Sequence, residues 1–319
     1  SLLSKDFLHK ARAWDLDKTA SVCPGCTQGC NMTIDMRDDA VVRLRPRPNL
    51  DVNRHFMCDV GRSDYRWMNR GDRVEAPLLR EGQRLTARDW PTALEHVGAL
   101  VQGARGAAVI LASGRASNES LGEVAGLLEG RTVTAALQVP LGGAEVPLTG
   151  VSGLALRKER APNGDGGRLL GYAASWEGAL QACAGAGVVL VLDVELSAAE
   201  RALVSRAGLV IAIVIRFHLG DGGAAAVLPV TTAVEESGTF TNRDGRVQRY
   251  WQARSAPGMA RPAWWVAAEL RSVLTGRPAP ASADAAFAVL AASVPAFAGM
   301  SYADLGFTGR RAEPAGAAR

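Results

Sequence analysis

Cys23-Pro24-Gly25-Cys26-Thr27-Gln28-Gly29-Cys30, answered by a lone Cys58, is the stretch from which the rest of the 319-residue sequence is read. Three thiols so close together, with Gly25 and Gly29 between them, fit neither a regular helix nor a strand. They suit a tight loop folded around something that binds sulfur, the glycines letting the backbone pass close to it. A C-x2-C-x3-C run plus a distant fourth cysteine supplies the four thiolates of a cubane [4Fe-4S] cluster, one per iron. Zinc is a competing occupant, but a four-cysteine zinc site usually draws its ligands as two C-x2-C knuckles. A disulfide framework is a third reading, and it belongs to small secreted chains rather than to one long enough to bury a core.

Composition sets outer limits. Hydrophobic residues make up 48% of the chain, and the net charge is +4 with a pI near 8.9. That balance is mild and its cations do not gather on one periodic face, so no nucleic-acid partner is expected. The longest apolar runs, 187–192 and 209–215, have strand length and end at Asp193 and Arg216, which argues against membrane insertion. Lys5, Asp6, His9 and Lys10 stand where a signal peptide would carry its apolar core. With clustered thiols, that points to a reducing cytoplasm.

Residues 1–16 read as a connector helix, since Leu2, Leu3, Phe7, Leu8, Ala11 and Trp14 recur at helical spacing. Residues 32–37 and 41–45 read as a hairpin turned at Asp38-Asp39. Arg43, Arg45, Arg47, Arg54 and Arg62 come next. They either offset the negative charge of a cluster and raise its potential, or form a solvated basic edge. From about residue 76 helices (89–102, 117–128, 176–183, 198–207) alternate with strands (107–112, 133–139, 188–193, 209–215, 224–230). This predicts a parallel sheet covered by helices, with ligands beyond the carboxyl ends of its strands. The segments 113–119 and 216–223 lie at such ends but match neither a dinucleotide fingerprint nor a P-loop, so they read as ordinary turns. Residues 142–167 show no periodicity, and 238–248 read as a polar, turn-rich loop. Helices are expected from Arg261-Pro262-Ala263 and over 282–298, then a disordered tail over 310–319. The fold class is therefore α/β: a small β-rich domain over 17–75, an α/β domain over 76–280, and a helix and tail over 281–319. Cys183 sits in an Ala-rich helix and reads as a structural thiol, and the four histidines are scattered.

Several passages in register resemble one family. Ser21-Val22-Cys23-Pro24-Gly25-Cys26, Gly29-Cys30-Asn31 and Cys58-Asp59-Val60-Gly61-Arg62 resemble the iron-sulfur head of the molybdopterin oxidoreductase superfamily. Within it, the G-subunit family of bacterial NADH-quinone oxidoreductase (respiratory complex I) is the most similar. Leu3-Ser4-Lys5-Asp6-Phe7 through Leu16 looks like the segment just after that family's ferredoxin-like region. Val227-Leu228-Pro229-Val230-Thr231-Thr232, Glu235-Glu236-Ser237-Gly238-Thr239-Phe240-Thr241-Asn242, Gly245-Arg246-Val247-Gln248 and Pro257-Gly258 through Pro262 resemble later passages of the same family. The resemblance implies that Cys23, Cys26, Cys30 and Cys58 ligate one [4Fe-4S] cluster, and that the α/β region is a degenerate molybdopterin fold.

It further implies an electron-transfer or structural subunit of the peripheral arm, on the cytoplasmic face of the inner membrane. NADH/flavin-binding and other iron-sulfur subunits would be its partners, and the isolated chain would not be catalytic. Active molybdenum relatives commonly carry Lys two residues after the fourth cysteine, where this chain has Val60, and are much longer. No molybdopterin is therefore expected. A fragment of a molybdopterin enzyme, such as a formate dehydrogenase or nitrate reductase, is the alternative. The chain opens on Ser1 and lacks the cysteines of a ferredoxin-like region, so it is expected to be a piece beginning after that region, or that region is a separate polypeptide.

Overall fold

A computed structural model describes residues 6–217 and 223–312 of the chain. Its first unit is an antiparallel sheet of β1 (Asp17–Val22), β2 (Asn31–Arg37) and β3 (Ala40–Pro46), in the order β1-β2-β3. Asp38 and Asp39 both adopt positive φ, 50° and 60°, the pair of left-handed residues that a two-residue hairpin turn requires. Met32, Ile34, Met36, Val41 and Leu44 bury one shared core with Met57, Tyr65 and Met68. The chain then returns through α1 (Asp59–Ser63), which Cys58 caps. The connector helix expected over 1–16 is not seen: among its described residues, 6–16, the chain forms turns.

The second unit is built on a seven-stranded sheet. An edge hairpin, β4 (Leu78–Glu81) and β5 (Arg84–Ala87), precedes α2 (Trp90–Gly103), β6 (Ala108–Ser113), α3 (Asn118–Leu127) and β7 (Val133–Gln138). A short ribbon of β8 (Val146–Pro147) and β9 (Ala155–Leu156) leads to α4 (Gly164–Leu169) and α5 (Trp176–Ala182). β10 (Val188–Leu192), α6 (Ala198–Val204), β11 (Val210–Val214) and β12 (Ala226–Pro229) complete the sheet. Its order is β5-β4-β12-β11-β10-β6-β7, parallel from β12 to β7. The sheet is thus mixed, because β4 runs antiparallel to β12. That hairpin escapes a reading by hydrophobic run, since only Leu79 of its residues is buried.

Every residue of β10 and β11 is buried, as strands covered on both faces must be. Alternation sorts them: Ile110, Leu190 and Ile211 pack with α2 and α3, while Val109, Leu111, Val189 and Val191 pack under α5 and α6. Each such side chain stabilises the fold by about 1.5–3 kcal/mol on leaving water. Asp89 and Ser117 cap α2 and α3 through their side chains.

The expectation of a turn-rich loop over 238–248 is overturned. β13 (Gly238–Thr241) and β14 (Arg246–Tyr250) form a hairpin whose first strand is wholly buried. Its polar composition misleads because Thr239, Thr241 and Gln248 are buried in a hydrogen-bonded network rather than solvated. α7 (Ala263–Thr275) and α8 (Ala283–Ser293) come next, α8 stopping short of 298 with a 3-10 turn over Pro295–Phe297. After α9 (Tyr302–Leu305), the start of the expected tail is ordered: β15 (Arg310–Arg311) pairs with β14. Residues 313–319 lie outside the described residues, as do Leu3-Ser4-Lys5 and most of the 216–223 turn.

Candidate metal centre

The loop between β1 and β2 carries Cys23, Cys26 and Cys30, all buried, and α1 brings Cys58 to them half-buried. The loop is closed by Cys23 N–H donating to Cys30 O at 2.8 Å and Gly29 N–H to Cys26 O at 3.4 Å. Gly61 N–H donates to Cys58 Sγ at 3.3 Å, the N-terminal turn of α1 thus offering an amide to sulfur. Cys23, Cys26 and Cys58 line one cavity of about 340 Å³. The Cys30 thiol feels the charge of the other three. All four sequence-predicted ligands are therefore brought together.

Burial governs acidity here. Desolvation pushes the Cys23 thiol up to about 12, with Cys26 and Cys58 adding to the rise, and Cys30 higher still. Cys58 is also raised by desolvation, held back by the Gly61 amide and by Arg160. Thiols that resist ionisation in a dry pocket make poor nucleophiles. They become thiolates only when a metal takes the protons' place. Among the described residues no three His, Cys, Asp or Glu side chains gather as they would around a single ion. A cubane spreads its thiolates further apart, since each holds a different iron. Four thiols, three buried and one half-buried, are a donor set that such a group takes.

The floor of the loop comes from far along the chain. Gln248 Nε2 donates to Gly29 O and to Asn31 Oδ1, both at 2.8 Å. Asn242 Nδ2 donates to Gln28 O at 3.4 Å, and Arg243 N–H to Thr27 O at 3.0 Å. Gly29 has φ +65°, and a side chain there would meet Asn242 Cβ at 2.8 Å. The same hairpin is tied to α3: Thr239 donates to Glu119 through N–H and hydroxyl at 2.9 Å each, and Asn118 Nδ2 donates to Thr239 and Thr241. Asn242 and Gln248 are thus site residues that reading 238–248 as a loop does not find. Their signal is the order of polar residues along two short strands and the Asn242-led turn between them.

Of the two readings of the five arginines, the structure favours the solvated edge. Arg43 pairs with Asp35 at 2.5 Å over the Phe7 ring, and Arg47 donates to Phe307 O. Arg45, Arg54 and Arg62 are exposed, and none of the five lines the cavity. Hairpin geometry explains the two on β3, Arg45 facing solvent and Arg43 the sheet's own Asp35. Arg115 and Arg160 line the cavity instead. Cys183 is fully buried, its thiol donating to Ala179 O at 3.3 Å, as a structural cysteine does. A second cavity of about 360 Å³ lies at the carboxyl ends of the parallel strands, bordered by Ser113, Asp193, Arg216 and Thr232. Pro24, Trp67 and Arg115 line both cavities.

Comparison with known proteins agrees with this geometry. Residues 16–70 match the molybdopterin oxidoreductase Fe4S4 domain, and residues 165–273 match molybdopterin oxidoreductase. The G subunit of NADH-quinone oxidoreductase from Pseudomonas fluorescens is 38% identical over 109 residues, which are 34% of this chain and 12% of that protein. The second G subunit of the Rhizobium meliloti enzyme is 34% identical over 122 residues, 38% of this chain and 14% of its own length. Subunit 3 of the Thermus thermophilus enzyme is 32% identical over 106 residues, 33% of this chain and 13% of its own. The matched part thus spans 12 to 14% of the length of these relatives. The Fe4S4 match thus falls on the cysteine sheet and its returning helix, and the molybdopterin oxidoreductase match on the later part of the chain, from α4 to α7.

Proposed function

We propose that this chain holds one [4Fe-4S] cluster through Cys23, Cys26, Cys30 and Cys58. It would serve as an iron-sulfur piece of the peripheral arm of an NADH-quinone oxidoreductase. The observation that carries the reading is the gathering of Cys23, Cys26 and Cys58 on one cavity with Cys30 close enough to feel their charge, the loop being floored by the β13–β14 hairpin. Such a cluster, when bound, takes up and releases single electrons. The chain's own contribution is burial, an amide aimed at sulfur and a rigid floor, which keep water out and the loop in place. NADH, flavin and quinone would bind to other subunits, and proton translocation would belong to the whole assembly. Among the described residues no helix is long and apolar enough to cross a membrane. A peripheral position on the cytoplasmic face is accordingly part of the proposal, as is the absence of catalysis by the chain alone.

Anaerobic reconstitution with iron and sulfide, followed by low-temperature EPR, tests the reading. Four irons and four sulfides per chain with a reducible cluster signal support it, and a colourless protein holding zinc refutes it. The molybdopterin-enzyme alternative draws on the strand-end cavity that adjoins the cysteine pocket. Against it stands Val60, half-exposed at the cavity rim in place of a linking lysine. Molybdenum or tungsten found by elemental analysis would favour the alternative.

A further inference from the structure

We propose that Arg115 and Arg160, approaching the cysteine cavity from two separate elements, set the reduction potential of the cluster it holds. The inference rests on the cluster reading above. Three charged side chains line the cavity besides the thiols: Arg115, Arg160 and Asp64. Among the described residues, no ion pair joins either guanidinium to a carboxylate. The neighbouring charges are already committed, Arg157 to Glu145 at 2.9 Å and Glu159 to Arg168.

Both arginines are anchored by backbone rather than by a salt bridge. Arg160 N–H donates to Pro140 O at 2.8 Å, and Gly142 N–H to Lys158 O at 2.8 Å, which clamps the two passages together. Thr27 N–H, within the cysteine loop, donates to Glu159 O at 3.1 Å. Arg160 is thereby held one residue from the loop's own attachment. Gly142 gives its side chain room, since a Cβ there would lie 2.6 Å from Arg160 Nη2. The charge of Arg160 acts on the Cys58 thiol. Arg115 comes from a separate element, the turn between β6 and the Ser117 cap of α3, its N–H donating to Ser113 Oγ at 3.2 Å. It is exposed, and its charge also acts on Asp193.

Reduction adds one electron, and so one negative charge, to a site already negative through its four thiolates. A fixed cation at the wall lowers the energy of the reduced form more than that of the oxidised form, because the attraction grows with the charge. Solvent and salt screen the exposed Arg115 more than the half-buried Arg160. Asp64 acts in the opposite direction. The sign and order of the effects are therefore fixed by position: Arg160 first, Arg115 second, Asp64 reversed.

Reconstituted R160Q, R115Q, D64N and the double arginine variant, titrated by EPR-monitored redox potentiometry, test this. R160Q and R115Q move the midpoint to more negative potential, R160Q further, the double variant further still, and D64N moves it positive. R160K keeps most of the wild-type value. G142A, which displaces the Arg160 guanidinium without altering charge, moves the midpoint in the same direction as R160Q. An unchanged midpoint in the double variant, with iron, sulfide and EPR signal intact, overturns the inference while leaving the cluster reading standing. A wild-type chain that assembles no cluster removes both.

Discussion

Gly29→Ala probes the join between the cysteine loop and the hairpin. Two costs can be separated. A left-handed backbone at a residue with a Cβ costs about 1–2 kcal/mol. Pressing that Cβ into a packed interior costs about 1–3 kcal/mol more. At position 29 both apply, because φ is +65° and the Cβ would meet Asn242 Cβ at 2.8 Å and Gln248 Oε1 at 2.6 Å. At Gly245, φ is +70° and nothing lies within 4 Å, so only the backbone cost applies. G29A should therefore lose about 2–5 kcal/mol and G245A about 1–2 kcal/mol. The assay is urea unfolding of both variants at the same iron and sulfide loading, with midpoints compared at equal slope. If G29A is no less stable than G245A, the hairpin does not press on the loop, and the account of the floor is wrong.

Other outcomes rest on the same geometry. Cys58→Ala abolishes the EPR signal of the intact four-iron cluster, whereas Cys183→Ala leaves iron content unchanged, as iron assay and EPR will tell. Burial raises Glu236 from 4.5 to about 8 and Glu119 to about 7. A carboxyl raised on folding contributes stability that is full below pH 4.5 and is lost as pH rises through the folded value. Thermal unfolding should therefore show stability falling between about pH 4.5 and 8, and Glu236→Gln should flatten that fall. Glu235 is fully buried between Arg73, at 2.5 Å, and Arg254, at 2.7 Å. Removing it with Glu235→Ala strands two guanidinium groups and should cost about 3–5 kcal/mol by denaturant titration.

What the sequence reveals depends on the range of the forces involved. The parallel strands were legible because burial on both faces writes itself as continuous apolar runs, as in Val188–Leu192. The helix starts were legible because Asp89 and Ser117 cap locally. The candidate ligand set could be named from the sequence because the chemistry of a cubane restricts both residue type and spacing. The β13–β14 hairpin was not, since Thr239, Thr241 and Gln248 are polar residues whose partners lie more than 100 positions away. β1 was missed for a related reason: Asp17 and Lys18 at its exposed end mask a strand that only its pairing with β2 explains. The arginines show the limit of nearness in sequence. It leaves the five after the hairpin open between a cluster role and a solvated edge, while the two that line the cavity arrive from 115 and 160.

The distance between the loop and its floor has a consequence for how the protein is made. The bond from Gln248 to Gly29 spans 219 positions, and Asn31 and Asn49 are held by Phe307 O and Thr308 O, further still. At a synthesis rate of about 5–20 residues per second, the nascent thiols wait about 10–45 s for residue 248 to emerge after them. During that interval the four cysteines are reduced, flexible and open to any passing metal or oxidant. The floored pocket of the finished protein is a late product of translation, complete only once the far end of the chain has emerged.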